Sequence, residues 1–202
     1  MNLLAHAFLS FHDEDVLLGN MIGDDIKGKQ KNLYPPKIRQ GIMLHRYIDS
    51  YTDQHPSVLE AKKVYSPLVG LYSGAFVDIS FDYFLARDLQ QWTEEELKVF
   101  SQWVYQALAA RRQWQPEKFR HFSPYMQSED MLYHYRFMQN IEKSLENLLL
   151  RTKLPDKQLP IAAAFQSGMG LLKSCYGRFF PELKTYARRS LDKLQTTLPD
   201  SL

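Results

Sequence analysis

His45 and Asp49 stand four residues apart, and so do Asp78 and Asp82. On an α-helix that spacing puts both side chains of a pair on one face, with Cβ atoms roughly 5–6 Å apart, so that two ligands can share one metal ion. Both pairs are set in apolar sequence. Ile42-Met43-Leu44 precedes His45, while Phe76-Val77 and Ile79-Ser80-Phe81 bracket Asp78. A carboxylate in such surroundings must be paired, hydrogen-bonded or bound to a metal, because an uncompensated buried charge is costly. One His-x-x-x-Asp alone is satisfied by an ion pair on a helix surface. Two such pairs, with Asp24-Asp25 directly after an apolar helix, point instead to a divalent-metal site. Imidazole with carboxylates is the ligand mix of Mn²⁺, Fe²⁺ or Zn²⁺ hydrolases rather than of thiolate-rich structural zinc sites. Such an ion lowers the pKa of bound water and neutralises a phosphoryl oxygen. Arg46 and Arg87 are candidates for binding a phosphate. Arg46 lies about 100° around the helix from His45, so pairing with Asp49 or Asp53 is its alternative.

Other chemistry is not signalled. There is no G-x-x-x-x-G-K-[ST], G-x-G-x-x-G, H-E-x-x-H or G-x-S-x-G. Tyr133, His134 and Tyr135 read as partly buried packing, and His12, His55 and His121 have no ligand-spaced partner. The single cysteine, Cys175, rules out an internal disulfide, suits a reducing cytoplasm and reads as a buried helical thiol.

The elements that must carry these residues are helical throughout. Leu3, Leu4, Ala7, Phe8 and Phe11 share a face, as do Val16, Leu17, Met21 and Ile22. A helix is expected from about Lys37 toward Tyr51, a short one over Val58 to Tyr65 and a long one over Pro67 to Leu89. Thr93 caps a helix whose first turn holds Glu94, Glu95 and Glu96 and which reaches about Arg111. Pro116 and Pro124 punctuate the next segment. A helix is expected from Ser128 to Arg151, a linker over Thr152 to Gln158, a helix over Leu159 to Cys175, and a last one past Gly177 and Pro181. The pattern predicts an all-α bundle forming one domain over residues 1–202.

Composition agrees. At 202 residues, 45% hydrophobic and 24% charged, the chain is ordinary globular material. No apolar stretch is expected to span a membrane, and the N-terminus does not read as a signal peptide. Neither nucleic acid nor membrane is expected as a partner. The net charge of +2 is unevenly spread. Residues 1–100 hold 10 Lys and Arg against 14 Asp and Glu, and residues 101–202 hold 15 against 9. An acidic half suits metal binding and a basic half suits an acidic partner.

Taken in order, several features resemble the bacterial acyl-carrier-protein phosphodiesterases, also called holo-acyl-carrier-protein hydrolases. They are Met1-Asn2-Leu3-Leu4-Ala5-His6, Gly19-Asn20, Asp24, Gly28, Pro35-Pro36 and Gly41, then His45-Arg46-x-Ile48-Asp49 with Thr52-Asp53, Asp78 with Asp82, and Phe84-Leu85-x-Arg87. A weaker likeness runs from Tyr125 to Asn140. The resemblance implies a helical fold distantly similar to the His-Asp phosphohydrolases. It also implies Mn²⁺-dependent hydrolysis of the phosphodiester that joins 4′-phosphopantetheine to a serine of the acidic carrier protein. It marks Asp24, His45, Asp49 and Asp82 as the metal and catalytic set, with His6 and Asp78 next. Asp24 or Asp78 would orient the water, and Arg46 or Arg87 would meet the phosphoryl charge. Arg111, Arg112, Arg178, Arg188 and Arg189 are candidates for docking the carrier. Some relatives have a His directly after the Asp82 position, where this chain has Tyr83. Two other readings stand beside this one: a His-Asp-type phosphohydrolase acting on a nucleotide or other small phosphodiester, and a non-catalytic helical binding module.

Overall fold

The computed structural model describes residues 1–152 and 158–197. Among them are eleven α-helices and no strand. Helices α1 (Leu3–Phe8) and α2 (Glu14–Met21) are followed by two 3₁₀ turns, Gly23–Asp25 and Gly28–Leu33. Then come α3 (Pro36–Gln54), α4 (Pro56–Lys62), α5 (Ser66–Val69), α6 (Ser73–Ala86), α7 (Glu94–Ala110), α8 (Glu117–Ser128), α9 (Met131–His134), α10 (Met138–Arg151) and α11 (Gln158–Thr197).

The starts of these helices reflect local chemistry. Asp13 caps α2 by accepting from the Asp15 and Val16 amides. Pro36 opens α3 at a position where no amide hydrogen is needed. At α7, Thr93 and Glu96 form a reciprocal capping box. The His12 connection between α1 and α2 is a loop, and both Phe11 and His12 hold positive φ there (52° and 62°).

Several expected boundaries move, each for a physical reason. The helix expected over Pro67 to Leu89 is broken at Gly70, whose φ of 54° is left-handed. The segment 66–86 is nevertheless long and apolar enough, by length and composition, to cross a membrane, contrary to the sequence expectation, and over half of it is buried within the fold. The helix expected from Ser128 divides instead. Ser128 ends α8, and Asp130 at φ 42° turns the chain into α9. Pro124 lies inside α8, and the Arg120 carbonyl that its missing N–H leaves free accepts from Arg112 Nη1 at 3.4 Å. Pro181 also lies inside a helix, because α11 runs unbroken through Gly177 and Pro181. A proline in a helix interior costs about 3 kcal/mol. The neighbouring Phe179 and Phe180 are fully buried, and each contributes about 1.5–3 kcal/mol, so packing outweighs local propensity. The linker expected over Thr152 to Gln158 lies, from residue 153 to 157, outside the described residues.

One contiguous core runs from Leu4 to Leu194. Its tightest junction is α2 against α3. A Cβ on Gly19 would lie 2.0 Å from the Ile38 carbonyl oxygen, and one on Gly41 2.2 Å from that of Val16. Only glycine allows the two backbones to approach so closely. Helix α11 covers α3, α4 and α6, with Cys175 buried on its inner face. Tyr135 is buried and Tyr133 partly so, which makes that aromatic cluster packing.

Candidate metal centre

Three ligand atoms, one each from His6, His45 and Asp49, lie within 4.8 Å of one another, a group able to hold a metal ion. His6 comes from α1, while His45 and Asp49 share a face of α3. The imidazoles stack with centroids 4.1 Å apart.

Asn20 orients both rings. Its side-chain oxygen lies 2.8 Å from His6 Nδ1, and its backbone oxygen 2.7 Å from His45 Nδ1. The amide orientation is set by its other contacts, since Asn20 Nδ2 donates to the His6 carbonyl at 2.7 Å and to Ser10 Oγ at 3.1 Å. Each Nδ1 therefore faces an acceptor and carries a hydrogen, which leaves each Nε2 as the nitrogen that meets carboxylate. Those two nitrogens point at carboxylate. His6 Nε2 is 3.2 Å from Asp49 Oδ1, and His45 Nε2 is 3.0 Å from Asp49 Oδ2 and 3.3 Å from Asp24 Oδ1. Neither nitrogen makes an aligned hydrogen bond, although both are buried. Carboxylate oxygens at these distances need a positive charge at the ring nitrogens, supplied either by a proton on His45 Nε2 or by a bound cation. That orphaned, tautomer-fixed arrangement fits a metal, with Asn20 as the outer partner that aims the ligands.

Without a metal, a proton supplies that charge at His45. Burial pulls His45 down, but Asp24 and Asp49 outweigh it and hold the imidazole at about 9. His6 is pushed down to about 4 by burial and by His45. Burial opposes ionisation of Asp49, but His45, His6 and the Met1 amine prevail and hold it well below the carboxylate range. Contact with His45 lowers Asp24.

The second Asp pair has a different task. Asp82 is fully buried, and its two oxygens accept from the Leu4 and Ala5 amides at 2.8 and 3.1 Å. Asn2 makes no side-chain cap on α1, so Asp82 caps that helix from across the core and fixes the element carrying His6. Burial raises its carboxyl to about 7, partly offset by those two amides. Asp78 faces the Met1 α-amine at 3.5 Å, which is also 3.1 Å from Asp49. Burial raises Asp78. The amine is held at about 10, burial opposing and the two carboxylates prevailing.

Of the two arginines, Arg46 donates to the Ile26 carbonyl at 2.8 Å and so ties down the turn that carries Asp24. Arg87 donates to the Arg136 carbonyl and lies over the Tyr83 ring, and it does not join the cluster. Tyr83 packs against Phe84 and Phe165. The structure thus gathers His6, His45, Asp49 and Asp24, places Asp78 one contact away, and uses Asp82 as a scaffold. Sequence reasoning assigned no role to Asn20. Its signal was a lone amide inside the apolar run from Val16 to Ile22.

An all-helical fold with a His-His-Asp group, its two imidazoles buried, at the junction of α1, α2 and α3 defines a class of candidate metal-binding helical proteins. Residues 1–183 match the family described as acyl carrier protein phosphodiesterase, and the chain belongs to that family. Curated relatives of that name include one from Enterobacter sp. (strain 638), 29% identical over 189 residues, covering 93% of this chain and 98% of the relative. Those from Salmonella agona (strain SL483) and Salmonella newport (strain SL254) are 29% identical over 194 residues, covering 94% of this chain and 98% of each relative. No solved structure matches the chain at a significant level.

Proposed function

We propose that this protein is a Mn²⁺-dependent phosphodiesterase that hydrolyses 4′-phosphopantetheine from holo-acyl carrier protein in the cytoplasm, leaving the apo protein. Family membership supports the substrate, and the solitary buried Cys175 supports the compartment. The observation that carries the reading is the pair of orphaned Nε2 atoms facing Asp49.

His6, His45 and Asp49 would hold the ion, with Asp24 at the mouth. When bound, such an ion supplies an acidified water and neutralises phosphoryl charge. The remaining work belongs to the chain. Asn20 keeps both Nε2 atoms aimed inward. Asp24 is exposed and is held ionised by His45, so it accepts a hydrogen bond from the attacking water and orients it. Arg46 holds Asp24's turn in place through Ile26. In the balanced reaction the water oxygen bonds to phosphorus, the bond to the serine oxygen breaks, and the serine leaves with a proton.

The test is incubation of chelator-stripped protein with holo-carrier protein, with and without Mn²⁺, and chromatography of the products. The expected result is 4′-phosphopantetheine release that requires added metal. No release at any Mn²⁺ concentration refutes the substrate, and equal release in a strong chelator refutes the metal.

A further inference from the structure

Residues 26–48 contain six Lys and Arg and no Asp or Glu, although they lie in the acidic half of the chain. The first three, Lys27, Lys29 and Lys31, sit on the 3₁₀ turn Gly28–Leu33 and its entry, Lys27 and Lys29 exposed and Lys31 half-buried with its Nζ 3.2 Å from Met43 Sδ. This turn adjoins the mouth of the metal centre. Lys27 Nζ donates to the Asp24 carbonyl at 2.6 Å, and Arg46 holds Ile26. Leu33, at the end of the turn, is 77% exposed. The α7–α8 junction joins the same rim, because Trp114 lies against Tyr34 (6.3 Å between centroids) and Lys118 pairs with Asp25 at 3.2 Å.

Of the C-terminal arginine candidates, Arg112 and Arg189 are exposed, but three others are engaged. Arg111 is neutralised by Glu14 and Asp15, and Arg178 by Glu60. Arg188 lies 3.6 Å over the Phe11 ring.

We propose that the lysine turn 27–33 is the docking surface for the acidic face of the carrier protein. This rests on the function proposed above and moves the docking site from the basic C-terminal half to the rim of the catalytic mouth. One phosphodiester carries a single negative charge and does not call for a row of cations, whereas an acidic protein surface does. An exposed leucine beside the lysines suits a protein partner better than a polynucleotide.

The experiment compares wild-type protein with K29E/K31E. Lys27 is left intact because it holds Asp24. Affinity for apo-carrier protein, which has no diester to cleave, is measured at low and high salt, and turnover of bis(p-nitrophenyl) phosphate is monitored in parallel. The expected result is binding weakened about tenfold at 0.1 M salt, with unchanged turnover of the small diester. The difference should shrink at 1 M salt, where the Debye length falls to about 3 Å. If K29E/K31E melts early, K29A/K31A should show a smaller loss in the same direction. Unchanged carrier affinity in folded variants overturns the proposal, as does a single-stranded oligonucleotide binding more tightly than the carrier. Absence of phosphopantetheine release by wild-type protein would refute the proposed function separately, because binding of apo-carrier does not depend on turnover.

Discussion

Replacing Asn20 with alanine tests whether the hydrogen bonds behind the two histidines set metal affinity. The change removes the donors to the His6 carbonyl and Ser10 Oγ, and the acceptor for His6 Nδ1. Ser10 still donates to the His6 carbonyl at 2.8 Å, so that oxygen keeps a partner. Two donor bonds are lost, and His6 Nδ1–H is left buried without an acceptor. At about 1 kcal/mol per net bond and about 1–3 kcal/mol for the orphan, the loss is about 3–5 kcal/mol. For a chain of this size that lowers Tm by about 6–20 °C. His45 is spared, because its Nδ1 partner is the Asn20 backbone oxygen. Mn²⁺ affinity should therefore fall about 10–100-fold, as for lost outer partners of metal-bound histidine, rather than vanish. Calorimetric titration of Mn²⁺ into chelator-stripped protein gives the affinity, and scanning calorimetry gives Tm. Asn20→Asp restores an acceptor for His6 but no donor to its carbonyl, so it should recover metal affinity more than Tm. An Asn20→Ala protein that folds and binds Mn²⁺ within about twofold of wild type would refute the positioning argument.

The same geometry sets two further outcomes. In Gly23→Ala the added Cβ would lie 2.3 Å from His45 Cγ, so the ring must move. Metal affinity and turnover should drop at least about tenfold while the helical circular dichroism stays native, since ligand misplacement is costly; unchanged affinity would show that His45 has room to spare. The metal-free protein should also lose stability as pH rises from about 6.5 through about 9, because His45 held at about 9 stabilises the fold only while protonated. Mn²⁺ affinity should run the opposite way, climbing about tenfold per pH unit up to about 9, since the same proton must leave before Nε2 can bind. His6, at about 4, adds no proton near neutrality. Calorimetry in buffers of different ionisation heat reads the released proton, and a pH-independent affinity would remove His45 from the ligand set.

Periodicity and local chemistry made much of this protein legible in advance. The 3.6-residue apolar repeat marks the helices, Thr93 with its acids marks the start of α7, and the spacing of His45 and Asp49 alone puts both on one face of α3. These are properties of a few consecutive residues, which any isolated segment would share. The breaks at Gly70 and Asp130 and the uninterrupted passage through Pro181 were not legible. A left-handed φ or a tolerated proline depends on what the flanking helices bury. Both i,i+4 pairs pointed to a metal in sequence, yet Asp82 caps α1 from 77 and 78 residues away while Asp49 faces the histidines. Only the tertiary structure could separate them, because a buried carboxylate takes whichever donors packing brings to it. The close approach of α2 and α3 at Gly19 and Gly41 brings Asn20 onto both rings and turns histidines 39 positions apart into one site.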